Sequence, residues 1–151
     1  MRTDGFSRRL FLGAAAGAGA IRTIAAQSAP ARLEEMLAPP KGKVQVVIDT
    51  DTYNEIDDQY AVAYGILSPE HMEVEAVYAA PFFNSRSKGA GDGMEKSYEE
   101  ILRILGHLKR KPEGFAFRGS DRFFEKANQP IDSPAARDLI AKAMRPRQGP
   151  L

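Results

Sequence analysis

Five carboxylates fall within ten positions of this chain: Asp49, Asp51, Glu55, Asp57 and Asp58, in Asp49-Thr50-Asp51-Thr52-Tyr53-Asn54-Glu55-Ile56-Asp57-Asp58. Like charges crowded this closely repel one another, a cost that becomes tolerable when a cation offsets it. Carboxylate oxygens with no cysteine or histidine beside them suit a hard ion, Ca²⁺ or Mg²⁺, better than zinc. The run follows directly on Val44-Gln45-Val46-Val47-Ile48, so Asp49 and Asp51, two apart at a strand end, are expected on one side of the strand. Asp57 and Asp58 are expected at a helix start, where carboxylates suit exposed N–H groups and the positive end of the dipole. That dipole supports the carboxylates rather than a cation, so Asp57 also reads as a plain N-cap and Glu55 as a solvated charge. Neither reading accounts for Asp49 and Asp51 together.

The elements that must position this loop follow from periodicity. Val44 to Ile48 is a mostly apolar, β-branched run, as expected of a parallel strand buried on both faces. Tyr60, Ala61, Tyr64 and Leu67 recur at helical spacing until Ser68-Pro69 stops them. A second strand is expected at Val74 to Ala79, then a Gly-, Ser- and Asn-rich loop of roughly fifteen residues, long for a plain connection. Met94, Tyr98, Ile101, Leu102, Leu105 and Leu108 form one apolar stripe of a second helix. Phe115-Ala116-Phe117 reads as a third strand, and Ser133-Pro134 as the cap and first turn of a helix through about Met144. The order β-α-β-α-β-α predicts an α/β fold with a parallel, Rossmann-like sheet and right-handed crossovers. Ligands of such sheets bind beyond the carboxyl ends of the strands, here Asp49 and Ala79-Ala80-Pro81. Three strands make half of a usual doubly wound sheet, and the expectation is a domain over 44–151 that is truncated after its third unit.

The acidic run and its setting resemble the inosine–uridine-type nucleoside hydrolase family. That family has an apolar strand, Asp-x-Asp, a short loop, Asp-Asp and an Ala-rich helix; this chain has Val47-Ile48-Asp49-Thr50-Asp51, then Asp57-Asp58 and Ala61-Val62-Ala63. The usual Pro-Gly-x of the loop is replaced by Thr52-Tyr53-Asn54-Glu55-Ile56, two residues longer, as in a divergent branch. The resemblance covers about residues 44–120. It implies a calcium-dependent hydrolase of the N-glycosidic bond of a ribonucleoside or related ribosyl compound. By position, Asp51 matches a calcium ligand and the general base for the attacking water, and Asp58 a second, bidentate ligand. Asp49, the first acid of the motif, takes a supporting place near the metal. Asp57 matches a carboxylate that binds a ribose hydroxyl. The family also has an Asn after the second strand that holds the ribose; Asn84 is the nearest candidate, and a loop Asn also reads as a turn residue. The resemblance further implies that the remaining metal ligands and the residue that activates the leaving group come from a second half not represented here.

Two other readings remain. In a haloacid-dehalogenase-type phosphohydrolase, Asp49 would be the nucleophile and Asp51 the acid/base, with no use for Asp57-Asp58. In a non-catalytic domain the acidic loop would only hold a ribosyl ligand.

Residues 1–31 read as an export segment. Arg2, Arg8 and Arg9 make a basic start, Leu10 to about Ala20 is an apolar run too short to span a bilayer, and small residues offer cleavage after Ala26 or Ala31. Ser7-Arg8-Arg9-Leu10-Phe11-Leu12 resembles the twin-arginine signal, so a periplasmic or secreted location is expected, with 32–43 as linker. The formal net charge of +1 becomes mildly acidic once that segment is set aside, with 17 basic and 19 acidic residues left. Nucleic-acid binding gains no support from this balance. With no cysteine, disulfides and a lipidated cysteine are excluded. Gly89-Ala90-Gly91-Asp92-Gly93 lacks the Gly-Lys-Ser/Thr ending of a phosphate loop and reads as a lid or plain loop. His71 and His107 are expected at the surface. Phe123-Phe124 is expected to pack as core or to cover a missing partner. The expected partner is a small ribonucleoside-like substrate, with no stable membrane anchor and a possible homo-oligomer.

Overall fold

Apolar β-branched runs and amphipathic helices alternate along the chain. In the computed structural model they form β1 (Val44–Thr50), α1 (Ile56–Leu67), β2 (Met72–Ala79), α2 (Ala90–His107), β3 (Ala116–Arg118) and α3 (Pro134–Ala143). Residues 33–34, 37–38, 40–126 and 129–146 are described. Chain contacts separate a unit through Ala38 from a second unit starting at Pro39, and all six elements belong to the second. The expected export segment, residues 1–31, lies outside the described residues. Among the described residues no helix is long and apolar enough to cross a membrane.

The three strands form one parallel sheet in the order β1-β2-β3, as the β-α-β-α-β-α pattern predicts. Val44 to Thr50 pair with Met72 to Ala79, with one register shift between Val46 and Val47. β2, in the centre, is the buried strand: Val74, Ala76, Val77, Tyr78 and Ala79 are all in the interior. β1 lies at an edge and is mostly half-buried. Its apolar sequence suits burial on both faces, but pairing on one side only leaves it partly open.

The two faces of the sheet differ. On one, α1 and α2 pack Val62, Met94, Ile101, Ile104 and Leu105 against Val74, Val77 and Ala79, with Val46 and Ile48 at the margin. On the other, α3 alone covers Ala76 and Tyr78 through Ala135, with Val47 and Phe117 alongside. The caps explain where two helices begin. Ser133 Oγ accepts from the Ala136 N–H at 3.1 Å and Pro134 occupies the first turn of α3, as the Ser-Pro pair predicts. α1 begins at Ile56 after Glu55, whose side chain makes no cap hydrogen bond. Asp57 and Asp58 stand in its first turn instead, where the dipole favours them.

The glycine-rich segment differs most from expectation. It is the first turn of α2, which begins at Ala90 rather than near Met94. A Cβ at Gly93 would collide with the backbone carbonyl of Phe82. Gly93 is needed there because the helix start lies against the chain leaving β2, a close approach that only a residue without a side chain permits. The connection from β2 to α2 is therefore ten residues, 80–89, and well tied. The Lys88 N–H donates to Asp92 Oδ2 at 2.9 Å, Lys96 Nζ donates to the Arg86 carbonyl at 2.7 Å, and Ser87 Oγ donates to the Phe82 carbonyl at 3.0 Å.

Candidate functional site

The carboxyl ends of β1 and β2 lie side by side, with the Ala80 N–H donating to the Thr50 carbonyl at 2.8 Å. The acidic loop and the loop after β2 therefore meet at one edge of the sheet, where a parallel α/β fold presents its ligand site. Beyond Thr50 the chain turns tightly: the Asn54 N–H donates to the Asp51 carbonyl at 2.6 Å, the i to i+3 pattern of a β-turn. Tyr53 stacks on Phe82, ring centroids 6.4 Å apart, and joins the two loops through their side chains.

Two hydrogen-bonded chains organise the carboxylates. In the first, Thr50 Oγ1 donates to Asp58 Oδ1 at 2.5 Å and lies 3.1 Å from Thr52 Oγ1. A hydroxyl has one proton, so with Thr50 donating to Asp58, Thr52 is the donor to Thr50. Both threonines are buried; they fix Asp58, in the first turn of α1, against the end of β1. In the second, Asn84 Nδ2 donates to Asn54 Oδ1 at 2.5 Å, and Asn54 Nδ2 donates to Asp51 Oδ2 at 2.9 Å. Asn84, expected at the site from its place after the second strand, reaches Asp51 through Asn54. It also forms a turn of its own, its Oδ1 accepting the Arg86 N–H at 2.9 Å.

Asp49 and Asp57 stand apart from these chains. Asp49 shares with Val47 a cleft of about 430 Å³ on the α3 side of the sheet, also bordered by Tyr78, Phe123, Phe124 and Leu139. Asp51 lies beyond the end of β1, in the turn, so the alternation that would place it beside Asp49 no longer governs it. Its charge still reaches Asp49: desolvation by the surrounding protein first, and the Asp51 carboxylate second, push the Asp49 carboxyl above its ordinary value, although part of its surface meets solvent. Asp57 is exposed and borders a shallow groove with Tyr53, Asn54, Glu55 and Arg86. Phe123 and Phe124 are exposed on the cleft and are not core residues. His71 and His107 are at the surface, as expected.

The donor chemistry around Asp51 and Asp58 is that of a hard cation: carboxylate, hydroxyl and amide oxygens, without sulfur or imidazole. The number is short of a full shell. Among the described residues no three acidic or histidine side chains are grouped to hold a metal, whereas calcium takes about six to eight oxygens. None of the ion pairs seen among the described residues uses any of the five loop carboxylates. Thr50, Thr52 and Asn54 are the site residues that type and spacing did not single out. The signal for the two threonines is the alternation Asp-Thr-Asp-Thr, in which each acid is followed by a short hydroxyl able to orient a carboxylate nearby.

No family model, curated protein or solved structure matches the chain.

Proposed function

We propose that this chain carries the acidic loop of a calcium-dependent N-glycosidase that hydrolyses the N-ribosyl bond of a ribonucleoside or a related ribosyl compound. The observation that carries the reading is the set of five carboxylates at and just beyond the carboxyl end of β1, none of which takes part in an ion pair among the described residues. It is supported by the resemblance of the Asp-x-Asp and Asp-Asp pairs to nucleoside hydrolases. Asp51 and Asp58 are the metal-holding carboxylates, with Asp49, on the α3 side of the strand end, in support through its charge alone. A Ca²⁺ held by Asp51 and Asp58 would supply the positive charge that favours ribose hydroxyls and a more acidic water. Asp51, steadied by Asn54, accepts the proton of the attacking water. Asp57 and Asn84 hold ribose hydroxyls, and charge developing on the sugar resembles an oxocarbenium ion. The twin-arginine-like start supports export to the periplasm or beyond.

The small number of grouped carboxylates favours a second reading, a domain that binds a ribosyl ligand without cleaving it. One experiment separates them. The chain is incubated with a panel of ribonucleosides and calcium, with free base followed by chromatography and binding by calorimetry. Release of base that is lost in Asp51→Asn supports the hydrolase; binding without release supports the second reading. Absence of both overturns the two together. The phosphohydrolase alternative instead predicts a beryllofluoride adduct at Asp49.

A further inference from the structure

Thr50 closes β1 and Thr52 stands two residues on, and both are buried, at 4% and 0% exposure. A buried hydroxyl has to find a partner, and the partner this pair reaches is a carboxylate. Thr50 Oγ1 donates to Asp58 Oδ1 at 2.5 Å, with Thr52 Oγ1 behind it at 3.1 Å. Thr50 is itself held by the sheet: it pairs with Ala79 of β2, and its carbonyl accepts the Ala80 N–H. The donor is therefore fixed, and the acceptor sits on the first turn of α1. Among the described residues Asp58 enters no ion pair, and no second hydrogen bond reaches its carboxylate. One oxygen of Asp58 is committed and the other is open.

We propose that Thr50, backed by Thr52, is a positioning residue that makes Asp58 meet a cation through one oxygen, Oδ2, and so narrows the preference of the loop for calcium over magnesium. The inference rests on the reading of Asp51 and Asp58 as metal-holding carboxylates. It departs from the resemblance to nucleoside hydrolases, which implies a bidentate acid at this place. A hydrogen bond from a hydroxyl to a carboxylate is charge-assisted, and it draws electron density from the oxygen that accepts it, so Oδ1 is the poorer metal ligand of the two. Turning both oxygens to one ion would bend or break that bond. The buried Thr50 hydroxyl would then lose its acceptor, which is costly away from water. Asp51 is held in the same manner, with Asn54 on Oδ2 and Oδ1 open. Two carboxylates that each present one oxygen match the way magnesium is bound, through one or two carboxylates and several retained waters. Calcium accepts that arrangement too, but it gains from a bidentate grip that magnesium cannot use. The hydroxyl pair withholds this gain.

The test is calorimetric titration of the full chain with calcium chloride and, separately, with magnesium chloride, for the wild type, Thr50→Val and Thr50→Ser. Valine keeps the branched shape of threonine without the hydroxyl, and serine keeps the hydroxyl. Circular dichroism and the urea midpoint report whether each variant is folded. Freed from Thr50, Asp58 can turn both oxygens to calcium, so the ratio of calcium to magnesium affinity should rise about tenfold in Thr50→Val. Thr50→Ser should stay within about twofold of the wild type, because the donor remains. Thr52→Val acts only through Thr50 and should raise the ratio about threefold; it carries the test by itself if Thr50→Val does not fold. A hydroxyl that only steadies the fold would lower the urea midpoint, or both affinities together, and leave the ratio where it was. That result overturns the proposal while the metal reading stands. A folded wild type that binds neither ion overturns the metal reading and this inference with it.

Discussion

Two acidic clusters in this molecule are handled in opposite ways. Beneath α3, Asp138 accepts from the Tyr78 hydroxyl at 2.7 Å and from Lys142 Nζ at 2.5 Å. Lys142 is buried, and its ammonium lies 5.4 Å from the centre of the Phe117 ring. Burial and the Asp138 carboxylate together push the Tyr78 hydroxyl well above its ordinary value, so it stays a proton donor. Here the fold supplies its own cation and donor, and the cluster fastens α3 to the sheet. At the end of β1 the carboxylates receive only neutral donors, Thr50 on Asp58 and Asn54 on Asp51. The first arrangement is complete in itself. The second has oriented charge that no ion pair among the described residues balances, the electrostatic setting in which a cation would be stabilised.

The largest expected effect that sharpens this contrast is Lys142→Met. It leaves Asp138 partly buried without its cation and should cost about 3 kcal/mol of stability, read from the urea midpoint. The matching loop variants, Asp51→Asn and Asp58→Asn, keep an oxygen acceptor for their neutral donors and should each change stability by less than about 1 kcal/mol. If the loop variants cost as much as Lys142→Met, the contrast is broken. Tyr78→Phe comes next. It removes one donor to Asp138 and keeps the ring packed edge-on to Phe117 at 5.9 Å, so a loss of about 1 kcal/mol is expected.

The smallest effect concerns Asp49. Desolvation first, and the Asp51 charge second, raise its pKa in the fold above the ordinary value of 3.8, so the protonated form is the one the fold prefers. That contribution is fully present below 3.8 and is lost as pH rises through the folded value. Asp49→Asn should therefore match the wild type in acid and exceed it at pH 7, by no more than about 0.5 kcal/mol given solvent screening. Thermal melts at pH 3 and pH 7 read this directly. A variant that is less stable at pH 7 would mean that Asp49 is paired rather than merely desolvated.

Much of this was legible in the residues, and the misses have physical causes. The element order followed from alternating β-branched runs and helical stripes, and Ser133-Pro134 marked the start of α3. The start of α2 was hidden because glycines read as loop, whereas Gly93 is there so that a helix can approach the Phe82 carbonyl. The openness of β1 was hidden because an apolar strand reports what would suit its faces and not what covers them. In the site, Asp51, Asp58 and Asn84 could be chosen from type and place. The different surroundings of Asp49, on the α3-side cleft, and Asp51, bonded to Asn54, could not, because alternation holds only while the strand continues and the chain turns after Thr50. Asp138 and Lys142, four apart on one helix, carried a readable pairing signal, but their burial depends on Tyr78 from a distant strand.

The most direct test of the central claim is calcium titration by calorimetry on the wild-type chain beside the Asp51→Ala, Asp58→Ala double variant. A loop that supplies oxygens to a hard cation predicts saturable binding to the wild type that disappears in the folded double variant. No binding by the folded wild type, or equal binding by both, would contradict it.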